Sequence, residues 1–435
     1  MYKYCLDLTY SWNQAAELAL EPGVETSDRR NTRVINEVVR GIHSWRYGVS
    51  KIVTSTKKTE APLSLGIQGA AAINPTAIFD PVSTHPDVVI SGLAARSKAK
   101  AEAQIKSYHL EQCRAYGSYD ELLADPDIKA VYIPLPNGLH FDWTLKSLRS
   151  GKHVLVEKPI ASNAGQARGI RSVSDDTGKL VLEAFHWRFH PAAHLVKYLV
   201  ESGDYGAVQE VKARMAVFAG AIGKDDIRMQ YALAGGSCMG IMYVFSATSY
   251  FALPSLQGAK VEVTKTNPRI NSRDPKIDDA MIADYTLTST SGHVVQCHTE
   301  SDFATPWLWG IIPPLWDLTS YIQIGLEHAT IFFPNFPGPW LDNTITVTDR
   351  KTGKTTKHQA YVDGPQWGKK GQRWWKTYRY QLEAFVDRVR AVQGGQSLAE
   401  AVDLNRLPWV GLQESEDVMG IVDAVYEKAG LGLRK

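Results

Sequence analysis

Between Leu63 and Ala184, short apolar runs alternate with segments of helical spacing. Leu63–Gln68, Asp87–Ala95, Ala130–Pro136, His153–Glu157 and Leu180–Ala184 read as strands. Lys98–Tyr108, His140–Ser150 and Ala164–Asp176 read as helices between them. Strand–helix repetition of this kind builds a parallel sheet, because each crossover carries the chain back to start the next strand at the same end. Leu63–Gln68 alternates briefly, but the set reads as apolar runs rather than strict alternations. That is the pattern of strands covered by helices on both faces.

After about residue 206 the texture changes. Val208–Phe218, Val261–Lys265, Ala283–Thr288, His293–Thr299 and Thr344–Thr348 alternate apolar and polar residues. Such strands belong to an antiparallel or mixed sheet with one covered face. Tyr378–Val392 and Asp417–Lys428 read as amphipathic helices. The expected fold is α/β: an N-terminal Rossmann dinucleotide-binding domain at 61–184, then an α/β domain at 185–435 with a large, open, mostly antiparallel sheet. Residues 1–60 read as a helical extension and linker. In it Val34, Ile35, Val38, Val39, Ile42 and Trp45 form an apolar stripe among several arginines.

Composition narrows the function classes. Of 435 residues, 44% are hydrophobic and 22% charged, which excludes a disordered chain. The formal charge of +2 supplies no sequence-wide field for nucleic acid or an anionic membrane. Four scattered cysteines show neither a disulfide framework nor zinc spacing. There is no secretory leader at the start and no apolar stretch long enough to span a bilayer. The expectation is a cytoplasmic protein acting on a small molecule.

Three places carry chemistry. The first strand runs into Gly66-Ile67-Gln68-Gly69-Ala70-Ala71-Ala72-Ile73. A dinucleotide turn needs tiny residues, because the backbone must approach a pyrophosphate at a helix N-terminus. Gly69, Ala70, Ala71 and Ile73 are the candidates, although the full G-x-G-x-x-G is absent and Asn74 stands near its third glycine. The second strand ends at Ala95-Arg96-Ser97-Lys98, without the Asp or Glu that would bond a ribose 2′-hydroxyl. Arg96 and Ser97 suit a 2′-phosphate and favour NADP(H) over NAD(H). Lys158 follows the strand ending at Val156, at the carboxyl edge where doubly wound sheets bind ligands. It could exchange a proton with a substrate oxygen.

Three strings fall in order at close range: Pro134-Leu135-Pro136-Asn137-Gly138-Leu139-His140, Gly151 to Glu157-Lys158-Pro159, and Glu183-Ala184-Phe185-His186-Trp187-Arg188-Phe189-His190-Pro191. With them the chain resembles the Gfo/Idh/MocA oxidoreductases. Within these it is most similar to the trans-dihydrodiol dehydrogenase and NADP-dependent D-xylose dehydrogenase branch in its fungal form. The resemblance covers about residues 62–435. It implies that Lys158 matches the catalytic lysine, with a Lys158–Pro159 bond that can be cis. It places Pro134, Asn137, His140, Glu157 and Arg188 near the cofactor, with Arg96 and Ser97 selecting NADP. It also implies a homodimer through the second sheet.

One departure stands out. Relatives carry an acid and a Tyr or His on a helix beside the lysine. Here the aligned string is Gly235-Gly236-Ser237-Cys238-Met239-Gly240-Ile241-Met242-Tyr243-Val244, with Gly240 at the acid position and Val244 at the Tyr/His position. Tyr243 is one residue off, and about 100° of helix rotation per residue would turn it away. Tyr243 and His186 remain candidate catalytic groups beside Lys158. Asp278, Asp279, His293, His298 and Glu300 read as solvated.

The leading expectation is an NADP-dependent oxidoreductase exchanging hydride with a secondary alcohol or ketone. The thinned polar cluster and the aromatic stretch Trp307 to Trp316 suggest an apolar substrate rather than a simple sugar. Two alternatives stay open. One is a redox-neutral isomerase, lyase or cyclase with lost or recycled cofactor use. The other is a binding protein that retains the nucleotide site.

Overall fold

The computed structural model describes residues 56–306, 320–364, 366–402 and 407–435. The expected N-terminal helix and the residues Trp307, Trp309 and Trp316 lie outside them.

Six strands form the first sheet: β1 (Leu63–Gln68), β2 (Val88–Ala94), β3 (Arg114–Tyr116), β4 (Ala130–Ile133), β5 (His153–Val156) and β6 (Val181–Glu183). All pair in parallel, in the order β3-β2-β1-β4-β5-β6. The order reverses between β1 and β4, and a crevice opens at their carboxyl ends. β1, β4, β5 and β6 are buried almost throughout, which is why they read as unbroken apolar runs. β3 was missed in the sequence because three half-exposed residues carry no periodicity. Asn163 caps the Ala164–Thr177 helix by accepting from Gln166 N, and Gly178 ends it in the left-handed region.

The second sheet has eight strands: β7 (Val208–Phe218), β8 (Lys260–Ile270), β9 (Asp278–Thr288), β10 (Val294–Thr305), β11 (Tyr321–Leu326), β12 (Ala329–Pro334), β13 (Ile345–Asp349) and β14 (Thr355–His358). Their order is β14-β13-β12-β11-β7-β10-β9-β8, and only β7 and β10 pair in parallel. The Tyr243–Ala252 helix lies against β7 and β10 and buries one face. The other face carries a half-buried charged row. Arg214 Nε donates to Glu300 (2.9 Å), and His298 lies between Asp284 (2.6 Å) and Glu300 (3.1 Å). The Leu412–Lys428 helix returns to pack on the Ala164–Thr177 helix. Among the described residues, no helix is long and apolar enough to cross a membrane.

Candidate active site

The first component is the turn after β1. Gly69 has φ +135°, a conformation that L side chains avoid, and a Cβ there would come 3.1 Å from Leu135. The missing glycines are replaced by a brace. Buried Asn74 donates to Gly69 O (2.8 Å) and Gln104 Oε1 (2.9 Å), and Gln104 donates back to Ala71 O (3.1 Å). Ala70 and Ala71 stay half-exposed at the crevice, and Ile73 is buried beneath them. A helical turn, Pro75–Phe79, follows at once.

At the end of β2, Arg96 is exposed and makes no ion pair among the described residues, with Tyr119 within reach of its charge. Ser97 starts the Lys98–Ser107 helix without spending its hydroxyl on a cap bond. Both groups are free for an anion. Pro134 and Leu135 lie under Gly69.

Lys158 stands at the carboxyl end of β5, and its bond to Pro159 is cis. His140 pins this corner. Its ring nitrogens lie 2.6 Å from Pro159 O and 2.7 Å from Leu135 O. Burial lowers its pKa to about 4 against the pull of those two carbonyls. Glu157 accepts from Tyr132 OH (2.7 Å), and burial pushes its pKa up. Lys158 Nζ donates to Gly240 O (2.9 Å). Burial lowers the pKa of Lys158; Glu157 opposes that, Arg228 adds to it, and Glu183 opposes it weakly. Glu183 is fully buried, and desolvation raises its pKa to about 8 although it accepts from Ile160 N (2.9 Å).

The helix beside the lysine does not run straight. A short turn, Ser237–Gly240, ends at Ile241, and a new helix starts at Tyr243. Val244 N turns to Ile241 O (3.3 Å), which leaves the Gly240 carbonyl for Lys158. The break also overturns the expected rotation. The Tyr243 ring comes to 5.0 Å from Lys158 Nζ, while Val244 is fully buried. Gly240 is tightly confined: a Cβ there would overlap the ring of Phe303, with Cε2 at 2.9 Å. A phenyl ring on β10 thus fills the space in which any side chain at position 240 would begin.

His186 joins the group. Its ring lies 5.4 Å from Tyr243 and 4.0 Å from Tyr378, and Nδ1 is 2.7 Å from Thr377 Oγ1. Burial, helped by Lys158, lowers its pKa to about 3, so it is neutral and can relay a proton only as a hydrogen-bond partner.

The remaining expected residues have the following surroundings. Arg188 is bound to Glu414 and stacks on Tyr250 at 3.4 Å. Asn137 donates to Ala234 O (3.1 Å) and ties the loop after β4 to the Gly235 turn. Trp187 is fully buried against Tyr250, Phe251 and Phe336, and is core. Asp278 is no solvated strand residue: it is fully buried and accepts four hydrogen bonds. Arg228, held by Asp226 at 2.8 Å, and Phe303 were missed as site residues. Only the packing of distant segments brings Arg228 toward Lys158 and Phe303 onto Gly240.

This combination of a Rossmann sheet, a small-residue turn and a confined lysine defines a dinucleotide-dependent oxidoreductase. Residues 63–185 match the model of an oxidoreductase family with an NAD-binding Rossmann fold. The chain is 31% identical over 378 residues to D-xylose 1-dehydrogenase (NADP(+)) 2 of Haloferax volcanii, covering 85% of this chain and 98% of that protein. It is 32% identical over 162 residues to trans-1,2-dihydrobenzene-1,2-diol dehydrogenase of Xenopus tropicalis, covering 37% of this chain and 48% of the relative. The fold is similar to that of KijD10, a 3-ketoreductase from Actinomadura kijaniata solved with NADP and TDP-benzene. The TM-score is 0.65 at 20% identity, over 84% of this chain and 97% of that one. The chain belongs to the Gfo/Idh/MocA oxidoreductase family.

Proposed function

We propose that this protein is an NADP-dependent oxidoreductase acting on a secondary alcohol or ketone, with residues 61–184 holding the nucleotide and 185–435 the substrate. The confined Lys158 carries the reading. It stands at the carboxyl edge of the parallel sheet, its ammonium aimed by Gly240 O at 2.9 Å. The nucleotide site fits the cofactor on three counts: Gly69 takes a positive φ that bulky residues avoid, Ser97 spends no cap bond on its helix, and Arg96 makes no ion pair among the described residues. Ala70, Ala71, Pro134 and Asn137 would line the crevice around it.

When bound, NADP(H) would exchange a hydride with the substrate carbon. Lys158 Nζ would give a proton to the carbonyl oxygen in reduction or take it from the hydroxyl in oxidation. Its lowered pKa brings it toward that double role. Tyr243, whose ring lies 5.0 Å from Lys158 Nζ with His186 edge-on to it, would be a second donor. The Phe303 ring filling the space beside Gly240 is the observation that favours an apolar or flat substrate over a simple sugar in this reading. Both named relatives are dehydrogenases, and this disfavours the redox-neutral alternative. The reading includes a homodimer through the charged face of the second sheet. It also includes a cytoplasmic location, supported by the free thiols of Cys113, Cys238 and Cys297.

Thermal melting with each nucleotide tests the cofactor. NADPH should raise the melting temperature more than NADH at equal concentration. Indifference to both would overturn the proposal.

A further inference from the structure

The turn that aims Lys158 is gripped from behind by the last residues of the chain. Arg434 and Asp278 form a fully buried ion pair, with Arg434 Nη2 3.0 Å from Asp278 Oδ1. Arg434 Nε donates to Gly235 O at 2.9 Å. Asp278 Oδ2 accepts from Ser237 Oγ (2.7 Å) and from Cys238 N (2.9 Å), and Oδ1 also accepts from Tyr426 OH (2.9 Å). The guanidinium stacks on Tyr426 at 3.8 Å. Gly236, at φ +121°, leaves the space this cluster fills: a Cβ there would overlap Asp278 and come 2.7 Å from Tyr426 OH. Every residue from Gly235 to Cys238 is therefore fixed by the pair or packed on it. Two residues beyond Cys238 stands the carbonyl that receives Lys158.

The tail is also tied to the lysine's own side. Asn163, five residues after Lys158, donates to Arg434 O (2.9 Å), and Tyr231 OH donates to Leu433 O (3.0 Å). Arg434 thus bridges the segment that carries Lys158 and the segment that carries its acceptor.

We infer that Arg434, through Asp278, is a positioning residue that holds the Gly240 carbonyl against Lys158 and so sets the lysine's protonation and reactivity. A buried pair of this kind is costly to desolvate, and breaking it by removing one partner leaves a buried charge uncompensated. Packing alone could hold a helix end, but it would not fix the direction of one carbonyl. The inference rests on Lys158 being the reactive group, and it does not require the substrate to be known.

The test is acetylation of Lys158 by trace acetic anhydride across pH, followed by mass spectrometry of the nucleotide-free full chain. Exposed lysines in the same digest serve as references. The groups facing Lys158 are Glu157, Glu183, Arg228, His140, His186 and Tyr243, and all stay unchanged in the variants. In wild type the midpoint should lie below that of the references. In Arg434→Gln the turn loosens and water reaches the ammonium. The midpoint should then rise toward the references, and the rate at neutral pH should change at least about threefold. Arg434→Lys keeps a cation for Asp278 and should return the midpoint most of the way.

A merely structural arginine would lower the melting temperature and leave the Lys158 midpoint unmoved, which would overturn the inference. If Arg434→Gln does not fold, Tyr426→Phe, which removes one hydrogen bond to Asp278, decides alone, with a smaller shift in the same direction. A protein that never responds to NADPH would sink the cofactor reading, yet this comparison, made without nucleotide, would still stand.

Discussion

Two small-residue turns build the candidate site, and they are held in different ways. The Gly69–Asn74 turn is braced within the first sheet's own layer. Asn74 reaches back five residues to Gly69 O, and Gln104 comes from the next helix. The Gly235–Gly240 turn is braced from far along the chain, by Asp278 on β9, Phe303 on β10 and Arg434 near the end. The first turn needs only tiny residues and a local amide. The second needs the complete second sheet and the returning tail before its carbonyl can face Lys158. The binding half of such a site can thus be built from a local motif, while the proton-handling half depends on tertiary closure.

The largest expected effect separates the two turns by function. Lys158→Met should cut turnover about 10²–10⁴-fold, the usual worth of a general acid–base. It should leave NADPH-induced stabilisation intact, because the first turn is untouched. Loss of both in a folded variant would dissolve the distinction. Next comes the confinement of Gly240. Gly240→Asp places a carboxylate where Phe303 already sits and should lower stability by about 2–4 kcal/mol in denaturant melts. Adding Phe303→Ala should recover part of that loss. If the single variant is as stable as wild type, the second turn is not closed by the β10 ring.

Smaller effects sharpen the first turn. Arg96→Glu should reverse the cofactor preference by about 10–100-fold in NADPH-against-NADH titrations, since a charge-assisted bond is exchanged for repulsion. Asn74→Ala should cost about 1–2 kcal/mol and weaken both nucleotides together, because it frees Gly69 O and Gln104. The smallest effect is a slope. Burial raises the Glu183 pKa to about 8, whereas the unfolded chain ionises near about 4.3. The native state holds the proton more tightly, so this group's contribution to stability falls as pH rises from about 4 to about 8. Glu183→Gln should flatten that fall in melting temperature against pH.

Much of this was legible in the sequence. Five of the six parallel strands announce themselves as mainly apolar runs because burial on two faces leaves little room for polar residues, whereas the half-exposed β3 does not. The lysine motif and the Arg96-Ser97 pair stand at strand ends, where their position follows from topology alone. The second sheet was legible only as scattered alternating strands. Its β11, β12 and β14 were not recognised, and its order depends on pairings across more than a hundred residues. Tyr243 shows the limit most clearly. Counting residues along an unbroken helix turns it away, but the helix breaks at Ile241 and the ring meets Lys158. Asp278 fails in the same way: an acid at the start of a strand reads as solvated until Ser237, Tyr426 and Arg434 surround it.

The sequence by itself determined the fold class and pointed to the Gly69 turn and Lys158 as the proposed nucleotide turn and reactive group. Each of these follows from local periodicity or from a motif a few residues long. Tertiary structure alone decided what faces that lysine. The Gly240 carbonyl, the Phe303 ring and the Arg434–Asp278 pair arrive from segments far apart in the chain. Their juxtaposition is fixed by shape and by the need to pair buried polar groups, and neither has a period that a sequence can display.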